Sequence, residues 1–173
     1  DQPGDVVPRS IPAIANLSEP LLVSRGSGRL DFADWIASDE NPLTARVMVN
    51  RIWLHLFGAG LVESTENFGL EGRAPSHPGL LDHLAGRLVA NDWSIKDTIR
   101  EVVRSHAYRM STRESARGLR VDPDNRLVWR MSPRRLEGEA IRDAILRSAG
   151  TLDAEPQDGS IVAWAGARRS EEH

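Results

Sequence analysis

Asn41–Gly58 reads NPLTARVMVNRIWLHLFG, and the reading of this stretch decides the fold. Asn41 is a helix-capping residue type, Pro42 suits the first helical position and Gly58 is a stop signal, so one helix is predicted from Pro42 to Phe57. At about 100° per residue, Leu43, Val47 and Leu54 share one direction, Ala45, Ile52 and Leu56 a second, and Trp53 and Phe57 a third. Apolar groups on three sides predict a helix enclosed by protein, the central buried member of a bundle. Its polar groups fall into two narrow stripes, Arg46 with Asn50, and Thr44 with Arg51 and His55. Buried guanidinium and amide groups need partners, because an unsatisfied one costs roughly 1–3 kcal/mol, and more if charged.

Other helices follow from the same signals. RLDFADWIAS suits a short helix from Arg29 that ends at Ser38. Glycines at 58, 60, 69 and 72 make the stretch to Pro75 a long connecting loop, pinned by Leu61, Val62 and Phe68. After PSHP, Leu80, Leu81, Leu84, Leu88 and Val89 recur at steps of three and four, which predicts an amphipathic helix to Ala90. NDWS turns the chain, and Ser94 caps a further helix whose expected buried stripe is Ile95, Ile99, Val102, Val103 and His106. These two helices are expected to pack as an antiparallel hairpin. Met110–Pro123 reads as loop, with a short helical turn in DNRLVWR. Ser132 and Pro133 repeat the cap and first-position signal for a last helix that runs to Gly150. Strand signals are nearly absent. The expected fold is all-α, an irregular bundle of about five helices with long loops. It comprises a flexible arm or linker over residues 1–28, a helical domain over 29–150, and a mobile or truncated tail over 151–173.

At 173 residues the chain can bury one respectable core. A net charge of -3 gives no long-range attraction for nucleic acid or an anionic membrane. The absence of cysteine excludes disulfides, thiolate chemistry, Cys-ligated metals and c-type haem attachment within the chain. No run of about 18 apolar residues could span a bilayer, so no membrane insertion is expected. Lys96 is the only lysine among 22 basic residues. GC-rich coding accounts for this, and selection for bidentate anion contacts is the functional alternative.

The polar stripes of the central helix find candidate partners in the last helix. There Arg135, Glu139, Arg142 and Asp143 form a charged stripe of alternating sign. The expected structural polar network comprises Arg46, Asn50 and Arg51 with Arg135, Glu139, Arg142 and Asp143, and joins Arg46 or Arg51 to Glu139 or Asp143. The alternative is a solvated face with local pairs worth about 0.3–0.5 kcal/mol each. Ser76 with His77, and Ser105 with His106, are sequence neighbours. Adjacent helical side chains diverge by about 100°, so neither pair reads as a nucleophile and its base. His55, His77, His83 and His106 lack the i, i+4 spacing of a zincin helix, so no metal is expected. Lys96, Arg100 and Arg104 make a basic stripe, but Asp97 and Glu101 sit beside it and no nucleic-acid partner is expected.

Together, NPLTARVMVNRIWLHLFGAGLV, FG, PSHPGLLDHLA, WSIK, SHAYR, PDNRLVWR and RRLEGEAIRDAIL resemble the planctomycete-type domain of unknown function family 1553. The resemblance covers roughly Gly28 to Asp153 in the same motif order. It implies the C-terminal module of a large exported bacterial protein, located in the periplasm, cell envelope or outside the cell. Its expected partners are the other domains of the parent chain, including a c-type cytochrome-like module that carries the haem. After Asp153 the segment AEPQDGSIVAWAGARRSEEH departs from the expected pattern, as a fragment would. The resemblance supplies no catalytic mechanism. The expected role is therefore a structural or interaction unit. The enzyme alternative is a hydrolase of envelope or environmental polysaccharide with Arg51, His55, His77, Asp82, Glu139 or Asp143 in its pocket.

Overall fold

The computed structural model describes residues 26–155. Among them are six helices and no strand, so the chain is all-α. Most of the arm and most of the tail expected from the sequence lie outside the described residues. The chain forms two compact units, one ending at Pro133 and the other beginning at Arg134.

The first unit holds α1 (Arg29–Ile36), α2 (Thr44–Phe57), α3 (Pro78–Ala90), α4 (Ile95–Arg104) and α5 (Ala116–Val121). Helices α2, α3 and α4 pack against one another. Their core comprises Ala45, Val49, Trp53 and Phe57 of α2, Leu81, Leu84, Ala85 and Leu88 of α3, and Val102 of α4, closed by loop residues Leu61 and Val62. Each fully buried leucine contributes roughly 1.5–3 kcal/mol relative to exposure, so this small cluster is the main source of stability.

Asn41 Oδ1 accepts from the backbone N–H of Leu43 at 2.9 Å and of Thr44 at 3.2 Å, but these bonds close the turn that leads into the helix: α2 begins at Thr44, two residues later than the Asn41-Pro42 signal predicts, with Leu43 at its N-cap. Gly58 ends α2 at φ 88°, a left-handed conformation that glycine adopts without a Cβ penalty. The α3–α4 turn lacks glycine and uses Asp92 at φ 50°. There the N–H of Asp92 bonds the Val89 carbonyl and that of Trp93 bonds the Leu88 carbonyl, a Schellman closure in which Asp92 takes the left-handed place. Trp93 then packs on the core.

Four expectations are corrected here. α2 is not enclosed on every side, because Arg51 and His55 are exposed. The buried stripe of α4 is Thr98 with Val102, whereas Ile95, Ile99 and His106 are exposed. Thr98 tolerates burial because its hydroxyl donates to the Ser94 carbonyl at 3.1 Å, which frees the helix to rotate its isoleucines outward. Met110–Pro123 contains α5, started by Ser115, whose hydroxyl accepts from the Gly118 N–H at 3.0 Å. DNRLVWR, in contrast, forms turns and no helix.

The second unit holds α6 (Gly138–Ser148). It starts later than the Ser132-Pro133 signal predicts. Ser132 instead accepts a hydrogen bond from Asn125 Nδ2 at 2.9 Å, and the residue at the N-cap of α6 is Glu137. The stop at Gly150 holds: at φ 71° it closes the helix with N–H bonds from Gly150 to Arg147 and from Thr151 to Leu146.

Candidate functional site

Asn50 is completely buried on α2. Its Nδ2 donates to the Val62 carbonyl at 3.0 Å, and its Oδ1 accepts from the Val62 N–H at 2.8 Å. One side-chain amide thus stands in for a peptide group and satisfies both polar atoms of a buried loop residue. Gly60 lies directly over this pair, where a Cβ would come within 2.9 Å of the Asn50 amide and 2.6 Å of the Val62 carbonyl. The glycine-rich loop is therefore fastened against α2. A further bond, from the Ser76 N–H to the Leu61 carbonyl at 2.8 Å, ties it to the entry of α3.

Arg46, on the same stripe as Asn50, donates from Nε to Asp82 of α3 at 2.7 Å and from Nη1 to the Pro42 carbonyl. The acid that meets Arg46 is thus in the neighbouring helix of the same unit. In α6, Arg142 pairs with Asp143 at 2.9 Å, Glu139 occupies the first turn, and Arg135 precedes the helix. On α4 the basic stripe is met locally, with Arg100 paired to Asp97. Arg87 and His83 both approach Glu101, at 3.3 and 3.8 Å.

The second fastening follows α5. Asp122 is buried, and its two carboxylate oxygens accept from the N–H groups of Arg126 at 2.9 Å and Leu127 at 2.7 Å. Its carbonyl accepts from Trp129 Nε1 at 2.9 Å. Asn125 Nδ2 donates to the Arg130 carbonyl at 2.9 Å as well as to Ser132. Arg130 reaches Glu114 at 3.3 Å, and its guanidinium lies 5.1 Å from the Trp129 ring centre. Asn125 and Val128 have φ of 55° and 53°. Asparagine tolerates that region, whereas for β-branched valine it is a strained conformation that the surrounding bonds must hold.

Between these fastened segments lies a small cleft of about 100 Å³. Buried Trp53, Phe57 and Leu61 form its apolar side with Val128. Glu63, Ser76, Asp124, Asn125, Arg126 and Ser132 supply its polar edge. None of Arg51, His55, His77 or Asp82 lines it. Arg51 and His55 are on the exposed side of α2, Asp82 is engaged by Arg46, and His77 precedes the first residue of α3.

The Ser76–His77 pair corrects the sequence reading. Both residues stand before the helix, where the 100° divergence does not apply, and Ser76 Oγ lies 3.0 Å from His77 Nδ1. Sequence reasoning also missed Glu63, Asp124, Asn125 and Ser132 as neighbours of one cleft. The signal was present in part, because Asp and Asn spaced by three in DPDN are turn residues that capture backbone N–H groups. No three His, Asp or Glu side chains gather as a metal site among the described residues. No helix there is long and apolar enough to cross a membrane.

A family model described as PSD1, protein of unknown function (DUF1553), matches residues 28–172. The match continues past Asp153, so the segment after it is not the departure from the family that the sequence reading expected. No curated protein and no solved structure matches the chain.

Proposed function

The chain belongs to the PSD1 family of proteins of unknown function (DUF1553), and from that premise we propose that it serves as a structural and interaction module of a larger exported bacterial protein. One observation carries this reading: two polar side chains of the central helix, Asn50 and Arg46, are used to fasten the module itself. Asn50 holds the Val62 backbone and Arg46 holds Asp82, and neither side chain opens onto the cleft. Large apolar side chains are meanwhile presented outward, among them Leu30 and Phe32 on α1 and Ile95 and Ile99 on α4. Such surface suits contacts with neighbouring domains of a parent chain.

In this reading the module sits in the periplasm or cell envelope beside a c-type cytochrome-like module. The haem belongs to that neighbour. This chain has no cysteine to form the thioether links of a c-type haem. The test uses the parent protein. Cell fractionation is expected to find it outside the cytoplasm. Replacing Ile95 and Ile99 together by glutamate is expected to speed proteolytic cleavage between modules several-fold without changing the haem spectrum. Cytoplasmic location, or a polysaccharide-hydrolysing activity abolished by Arg51→Ala, would overturn the reading.

A further inference from the structure

We propose that the cleft of the first unit is a binding subsite for one neutral, hydroxyl-rich ring: the terminal sugar of a glycan. The apolar side is aromatic, with Trp53 and Phe57 stacked at 4.0 Å between ring centres. The opposite edge carries oxygen acceptors from Glu63, Ser76 and Asp124. A pyranose has the same two-sided character, with a face of C–H groups that lies against an aromatic wall and hydroxyls that donate at its edge. When Ser76 donates to His77 Nδ1 across their 3.0 Å contact, its oxygen keeps lone pairs that can accept from a ligand hydroxyl. Glu63 and Asp124 at the edge favour hydroxyl donors, and with Arg126 beside them the edge keeps one net negative charge, which disfavours an anionic ring. The small volume of about 100 Å³ admits one ring end and not the interior of a chain.

The walls are set before any ligand arrives. Val128 and Asn125 are held at positive φ by the bonds that Asp122 makes to Arg126 and Leu127 and that Asn125 makes to Arg130. Strained backbone stabilised by a dense local network occurs at ligand clamps, and a wall already ordered loses little freedom on binding. Nothing in the cleft requires catalysis, so the proposal is recognition alone.

Saturation-transfer NMR on the 173-residue chain tests it, with neutral hexoses, N-acetylhexosamines and hexuronates as probes. Transfer to the ring C–H protons of at least one neutral sugar is expected, with a millimolar dissociation constant and weaker transfer to hexuronates. Ser76→Ala and Asp124→Ala are each expected to weaken binding roughly tenfold while keeping the thermal midpoint. Lys96→Ala, on the exposed side of α4, is expected to bind as the parent does. The proposal fails if the folded chain gives no transfer to any sugar, or if the Ser76→Ala, Asp124→Ala double variant binds unchanged.

Discussion

Replacing Asn50 by leucine tests the central fastening, because leucine keeps the branched four-atom side-chain skeleton and removes both hydrogen bonds. The substitution orphans the N–H and C=O of Val62, a residue only 3 % exposed and out of reach of solvent. Each buried orphan costs about 1–3 kcal/mol, so the pair costs about 2–6 kcal/mol. That is a large part of a typical stability of about 5–15 kcal/mol. At about 3 °C per kcal/mol for a chain of this size, the thermal midpoint is expected to fall by roughly 6–18 °C. Far-UV circular dichroism with heat and with urea measures it, and the urea slope is expected to stay constant if the native state keeps its compactness. Trypsin should also cut sooner after Arg73, because the loop loses its anchor on α2. A midpoint within about 2 °C of the parent would refute the claim that this amide holds the loop.

Leu88→Ala removes a side chain with no exposed surface and is expected to cost about 2–5 kcal/mol, read as the urea midpoint. Gly118→Ala would set a Cβ 2.7 Å from three Trp129 ring atoms and is expected to cost about 1–3 kcal/mol, with a red shift in tryptophan emission as the ring is displaced. Asp82→Ala breaks a half-exposed pair with Arg46 and is expected to cost only about 0.2–1 kcal/mol, a difference that should shrink in high salt. A loss above about 2 kcal/mol for Asp82→Ala would show that Arg46 is more dependent on its partner than its exposure implies.

Local signals carried much of the fold. Gly58 ends the central helix, Ser94 caps α4, Gly150 ends α6, and the leucine spacing of α3 marks Leu81, Leu84 and Leu88 as core. These features depend on residues within one or two turns of each other, which a single sequence records directly. The rotation of α4 was not legible, because Thr98 reads as polar until its bond to the Ser94 carbonyl is known. The partner of Asn50 was not legible either. Sequence reasoning sought an acid, but the group that satisfies the amide is a main-chain peptide twelve residues away, and every residue carries one. The cleft is assembled from loops whose side chains bond to backbone, so its members share no periodicity.

Tyr108 is the chain's single tyrosine, and it meets Phe57 edge-on at 5.7 Å between ring centres. Phe57 in turn stacks on Trp53. The molecule therefore contains its own optical ruler. While the segment after α4 stays seated on α2, light absorbed by the phenol should be passed to the indole and the phenol itself should be dark. Its emission should brighten as the two part, reporting the integrity of the cleft wall without any added label.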